Sequence, residues 1–223
     1  MPTKQGVAGP VTPNDHYADG LAPGRSAVSS VLRAAVEALE GAGIPFVVMG
    51  GLVAAAFARP RTTDDVDFFV QPEHAGDALD ALGDAGFETE QTDPMWLYKA
   101  WRDGVVVDVI FRSSGDVYLD EEMLARARIG DIRGTRTKRI SAEDLLVIKA
   151  VAATERGSHH WYDALGIIAR TPLDWNYVVE RARQAGPRRV LSLLLYAESN
   201  DMAVPADAVE DLFAIVHPSG GSS

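Results

Sequence analysis

The chain reads as an α/β (α+β) protein, with a small mixed sheet flanked by helices and a C-terminal helical domain after it. Three observations predict this. Short, nearly continuous apolar runs at 44–49, 66–70 and 105–112 alternate with stretches of helical period, as expected of strands buried between helices. Asp103-Gly104 separates two strand-like runs, 96–101 and 105–112, and Asp-Gly is a strong hairpin signal. From Ser141 onward the period is helical throughout. The expected organisation is a mobile tail at 1–24, an α/β domain at 25–140, a helical domain at 141–217 and a mobile tail at 218–223.

Each element follows from local chemistry. Ser26 is placed to cap a helix whose apolar stripe is Val28, Val31, Leu32, Ala35, Val36 and Leu39, and Gly41 and Gly43 stop it. Residues 44–49 suit a strand buried on both faces. Residues 52–58 are alanine-rich and end at Pro60, which fits a helix of two turns. The second strand is 66–70, and 73–86 is a helix with Ala78, Leu79, Leu82 and Ala85 inward. Glu121 and Glu122 fit a first helical turn, where acids favour the dipole. Ser141 with Asp144 resembles a capping box. Helices are then expected at 142–155, 159–170, 174–185, 188–199 and 205–216, broken by Gly157, Pro172, Gly186 and Pro205.

Composition narrows the function classes. The 223 residues are 47% hydrophobic and 24% charged, as in a globular protein. Cysteine is absent, which removes disulfides and thiolate metal sites and fits a cytoplasmic location. No apolar run approaches the ~20 residues of a membrane span, and no apolar segment follows the first residues as in a signal peptide. A net charge of −11 weighs against non-specific nucleic-acid binding. Two basic clusters, Arg136/Lys138/Arg139 and Arg181/Arg183/Arg188/Arg189, read first as solvated faces.

The chemistry concentrates between Phe46 and Phe111. Gly50-Gly51 stands between a strand and a short helix. Glycine lets backbone approach closely, and a helix N-terminus offers free N–H groups to a polyphosphate. Arg59 and Arg61 follow, suited to phosphate oxygens. Asp65 and Asp67 share one strand face because side chains alternate. Asp108 is a carboxylate in a strand otherwise apolar, expensive unless paired or metal-bound. If the two strands are neighbours, the three aspartates converge on one spot. Magnesium takes carboxylate, water and phosphate oxygens, and two ions can clamp an in-line displacement. Singly, each feature has an ordinary reading: surface aspartates, a glycine turn, a hydrogen-bonded strand aspartate. Their joint order and placement favour a metal–nucleotide site.

Together, Gly50-Gly51, Asp65-x-Asp67 and Asp108 resemble the nucleotidyltransferase superfamily that shares the DNA polymerase β catalytic fold. The likeness is closer to its small bacterial members with Gly-Gly before the aspartates, including lincosamide-type antibiotic nucleotidyltransferases and AbiEii-type toxins, and spans roughly residues 30–185. It implies a nucleotidyltransferase-like fold in which Asp65 and Asp67 hold two magnesium ions. Asp108 would bind the catalytic ion and deprotonate or orient the acceptor hydroxyl. Gly50 and Gly51 would contact the triphosphate. A nucleoside monophosphate would pass from an NTP to the acceptor, releasing pyrophosphate. The resemblance extends to Leu145-Leu146-x-x-Lys149, then Arg156, then Asp163. Lys149 would reach a β- or γ-phosphate; its alternative is a lysine snorkelling at a helix edge. The segment around His159 and His160 is less basic than that pattern, and the histidines read as structural or surface residues. Trp96, Tyr98 and Trp101 could stack on a base, with sheet packing the plainer reading. The acceptor is a small molecule, a protein or RNA, and the acidic balance favours the first two. An RNA-modifying toxin would bring an antitoxin partner. A non-catalytic nucleotide-sensing or partner-binding module is the rival class.

Overall fold

The computed structural model of the chain describes residues 25–58, 62–155 and 157–218, and both expected tails lie outside these apart from Pro218. Helix α1 (Arg25–Gly41) buries the expected stripe: Val28, Val31, Leu32, Ala35, Val36 and Leu39 are at most 3% exposed. Ser26 lies within its first turn rather than capping it. Strand β1 (Phe46–Val48), helix α2 (Gly50–Phe57) and strand β2 (Asp65–Val70) follow. A 3-10 turn, Pro72–His74, then leads into α3 (Ala75–Asp84). Next come β3 (Glu88–Asp93), β4 (Leu97–Arg102) and β5 (Val105–Ile110), then α4 (Glu121–Arg126), β6 (Arg128–Ile132) and β7 (Thr135–Arg139). The rest is helical: α5 (Ala142–Ala152), α6 (Ser158–Arg170), α7 (Trp175–Ala185), α8 (Pro187–Glu198) and α9 (Ala206–Val216).

Among the described residues the strands form one mixed sheet, in the order β3-β4-β5-β2-β1-β7-β6. The two strands that carry the aspartates are neighbours. β2 runs parallel to β5, and Asp67 stands directly beside Asp108. β1 is antiparallel to β2 and parallel to β7. Two tight hairpins close the flanks, at Asp103-Gly104 (φ 52° and 73°) and Arg133-Gly134 (φ 50° and 82°). Positive φ at both central residues matches the right-handed strand twist.

Three strands go beyond the sequence reading. β3 is Glu-Thr-Glu-Gln-Thr-Asp, a polar edge strand exposed along most of its length. Charged edges discourage pairing with other chains, but they erase the hydrophobic period. β6 and β7 bury Ile132, Thr135 and Thr137 and expose Arg136 and Lys138. Their alternation is carried mainly by threonine, so no apolar pattern announces it.

The helices sit where the period places them. Ser141 caps α5: its Oγ accepts from the Asp144 N–H at 3.0 Å and donates to Asp144 Oδ2 at 2.6 Å. The fully buried Asp144 also accepts from Tyr177 Oη at 2.9 Å and pairs with Arg181 Nε at 3.1 Å, tying α5 to α7. Burial raises the Asp144 pKa, opposed by Ser141, Arg181 and Tyr177. Buried apolar side chains run without interruption from Val28 in α1 to Leu212 in α9, so sheet and C-terminal helices share one core.

Candidate active site

The site begins at the turn from β1 into α2. Met49 donates its N–H to the Asp67 carbonyl at 2.9 Å, holding the turn against β2. Gly50 then takes a left-handed φ of +67°, which a side chain disfavours. A Cβ at Gly50 would also lie 1.7 Å from Asp67 Oδ2. Gly51 donates its N–H to the same oxygen at 3.4 Å. The glycine pair thus seats the Asp67 carboxylate under the N-terminus of α2, besides leaving backbone open to a ligand.

Asp67 is 9% exposed. Burial, then Asp65, then Asp108 push its pKa up to about 7, opposed by Lys149 and the Gly51 N–H. Asp65 accepts from the Thr63 hydroxyl. Asp108 pairs with Lys99 Nζ at 2.6 Å, and both side chains are largely buried, at 17% and 22% exposed. Burial raises the Asp108 pKa; Lys99 pulls it down and Asp65 adds to the rise.

A cavity of about 530 Å³ opens over Met49, Gly50, Gly51, Asp65 and Asp67, within the range of small-molecule sites. The helical half supplies its other wall through Lys149, His159 and His160. Lys149 is 4% exposed, so it is not a snorkelling lysine; it pairs with Asp163 at 3.1 Å and lies 3.3 Å from His160 Nδ1. The rings of His159 and His160 stand 4.0 Å apart. Both were expected away from the chemistry, and both line the cavity. Trp96 lines it too, its indole N–H held by Asp93 Oδ2 at 2.8 Å. Tyr98 instead packs on Phe111, with ring centroids 4.9 Å apart. The loop after β5 adds Arg112 and Asp116, which are paired with each other.

Of the residues singled out in the sequence, Gly50, Gly51, Asp65, Asp67 and Lys149 line one cavity, and Asp108 stands beside Asp67 through strand register. Arg59, Arg61 and Arg156 lie outside the described residues. Lys99 is an addition to the residues singled out in the sequence, and the two-residue hairpin at Asp103-Gly104 is what sets it opposite Asp108.

The carboxylates suit magnesium in one respect. Burial and the neighbouring Asp65 and Asp108 charges push the Asp67 pKa up to about 7, a cost that a bound cation would relieve. Among the described residues no three His, Asp or Glu side chains could enclose a metal by themselves. Two protein carboxylates, with the remaining oxygens from water and phosphate, is how magnesium is commonly held.

The family model described as "Nucleotidyl transferase of unknown function (DUF2204)" matches residues 28–183, well over half of the chain. Among solved structures, the chain is similar to an antigenic nucleotidyltransferase-like protein from Paracoccidioides brasiliensis. The two are 14% identical, with 85% of this chain and 93% of that one covered and a TM-score of 0.50. It is also similar to the antibiotic-resistance factor ANT(2'')-Ia, at 18% identity, 79% and 94% coverage and a TM-score of 0.46. A third similar structure is the lincosamide antibiotic adenylyltransferase LnuA, at 14% identity, 62% and 96% coverage and a TM-score of 0.45. No curated protein matches the chain.

Proposed function

The chain belongs to this family of nucleotidyl transferases, and we propose that it moves a nucleoside monophosphate from a magnesium-bound NTP to a hydroxyl on a small molecule or protein. The observation that carries the reading is Asp67, wedged against Gly50 and Gly51 and in register beside Asp108.

Asp65 and Asp67 are the carboxylates that hold magnesium. When bound, the ion neutralises phosphate charge and orients the triphosphate. The Gly51 N–H at the N-terminus of α2 serves Asp67, and the remaining N-terminal N–H groups are the ones that would meet the phosphates. Lys149, fixed by Asp163, supplies positive charge for the departing pyrophosphate. Asp108 accepts the proton as the acceptor oxygen bonds to the α-phosphorus and the bond to pyrophosphate breaks. Rate acceleration comes from alignment and fixed charge rather than covalent chemistry.

The acceptor class follows from charge. The chain carries −11, and the basic side chains described in the cavity wall, Arg112 and Lys149, are each paired with an aspartate. Such a wall offers little to an RNA backbone.

The test is transfer from α-labelled NTPs, with magnesium, to small-molecule, protein and RNA pools, using Asp67→Ala as control. Label in a small-molecule or protein fraction, absent with the variant, supports the proposal. Label confined to RNA overturns the acceptor class. Absence of magnesium-dependent NTP binding overturns the site assignment.

A further inference from the structure

Lys99 approaches Asp108 from β4, the side away from Asp67, and brings a fixed positive charge to the third carboxylate of the site. Cross-strand register fixes it there: Glu90, Lys99, Asp108 and Asp67 are successive neighbours in one row across β3, β4, β5 and β2. Directly opposed residues share a face, so Lys99 stands between carboxylates on either side. Its Nζ contacts Asp108 Oδ1 at 2.6 Å with both side chains mostly out of solvent. Lys149, the other lysine near the carboxylates, is taken by Asp163 at 3.1 Å. Lys99 is therefore the cation that belongs to Asp108.

A second divalent ion, bridging the acceptor oxygen and the carboxylates, would need an oxygen of Asp108 at about 2.0–2.1 Å. The Lys99 ammonium already neutralises Asp108 from Oδ1, and a divalent ion on Oδ2 would face that charge across a single carboxylate, where two cations repel. We propose that Lys99 supplies to Asp108 the charge a second ion would supply, so that the site binds one divalent cation, at Asp65 and Asp67, with Asp108 positioned by Lys99 toward the acceptor hydroxyl. This rests on the metal–nucleotide reading above. Lys99 is a positioning residue: it touches Asp108, not the reacting atoms. A fixed ammonium also holds Asp108 aimed before the acceptor arrives, which the backbone register sets without help from a ligand.

The experiment is equilibrium dialysis of Mn2+ against the full chain with an excess of the four α,β-methylene NTP analogues, counting bound metal per chain. Wild type is expected to hold one Mn2+. Lys99→Met is expected to hold two, and Lys99→Arg, which keeps the charge, one. Two ions on wild type overturn the proposal and leave the metal–nucleotide reading standing, as does one ion on a folded Lys99→Met. No Mn2+ retained on wild type with any analogue removes the metal–nucleotide reading itself. Lys99→Gln is the second neutral variant should Lys99→Met fail to fold, and the wild-type count is decisive without either.

Discussion

Replacing Gly50 by alanine tests the link between backbone and catalytic carboxylate. Two penalties act. The left-handed φ of +67° costs a side-chain-bearing residue about 1–2 kcal/mol. The new Cβ would stand 1.7 Å from Asp67 Oδ2, where ordinary contact begins at 3.4 Å. The carboxylate must retreat by a similar distance again, or the turn must open. Misplacing a reacting group by about 1 Å can cost 10²-fold in rate, so transfer should fall at least ~100-fold. Gly43 is the control: its φ is +70° and a Cβ there meets nothing within 4 Å. Gly43→Ala should lose the same ~1–2 kcal/mol, a few degrees of melting temperature, and keep its rate. The assay is label transfer per folded molecule alongside thermal melts of both variants. A Gly50→Ala enzyme with wild-type turnover would refute the claim that Gly50 seats Asp67.

The other expectations concern charge. Asp67 has its pKa raised from 3.8 to about 7 in the folded, metal-free chain. A raised carboxyl binds its proton more tightly when folded, so its contribution is complete below pH ~4 and disappears as pH rises through about 7. Metal-free melting temperature should therefore drop between pH 5 and 8, and magnesium with NTP should remove the drop; a flat metal-free profile counts against it. Asp67→Asn should abolish transfer yet raise the metal-free melting temperature at pH 8, since it removes a buried charge beside two others. Lys149→Met takes the ammonium from a buried Asp163 and should cost roughly 3 kcal/mol. Lys149→Met with Asp163→Leu should regain most of that stability in a denaturant titration without regaining activity.

How much of this was readable in the sequence depends on whether a residue's partner was close along the chain. α1 could be read because six apolar residues repeat at helical spacing and all six are buried. The Asp103-Gly104 hairpin could be read because its turn chemistry is local. β3 could not, because an exposed edge strand has no buried face to pattern. β7 could not, because Thr135 and Thr137 fill inward positions that apolar residues usually mark. In the site, the order of Gly50-Gly51, Asp65 and Asp67 was legible as a set. The reason for Gly50 was only half legible, since the oxygen that excludes its side chain belongs to a residue on the next strand. His159 and His160 read as structural or surface residues, because only the packing of α6 beside α5 turns them toward the cavity.

The arrangement also explains why a helical half is needed at all. Three aspartates on one sheet face are unfavourable to fold around, and the raised pKa values of Asp67 and Asp108 measure that burden. The sheet meets part of it from within, since Lys99 comes from the strand beside Asp108. Asp67 has no such neighbour in its own row, and the opposing charge reaches it from Lys149 on α5. Lys149 is itself held by Asp163 on α6, and α5 is anchored to α7 through Asp144, Tyr177 and Arg181. The chain of dependence runs from a carboxylate on β2 to α5 and α6, which form the cavity's other wall, and on to α7 behind them. Loosening α7 should therefore act on Asp67 through Lys149. Tyr177→Phe removes one bond to Asp144 and should cost about 1–2 kcal/mol. If α5 is the element that carries charge to the site, that variant should weaken magnesium–NTP binding as well as stability. A pure stability loss, with binding per folded molecule unchanged, would show that α5 holds its position through apolar packing alone.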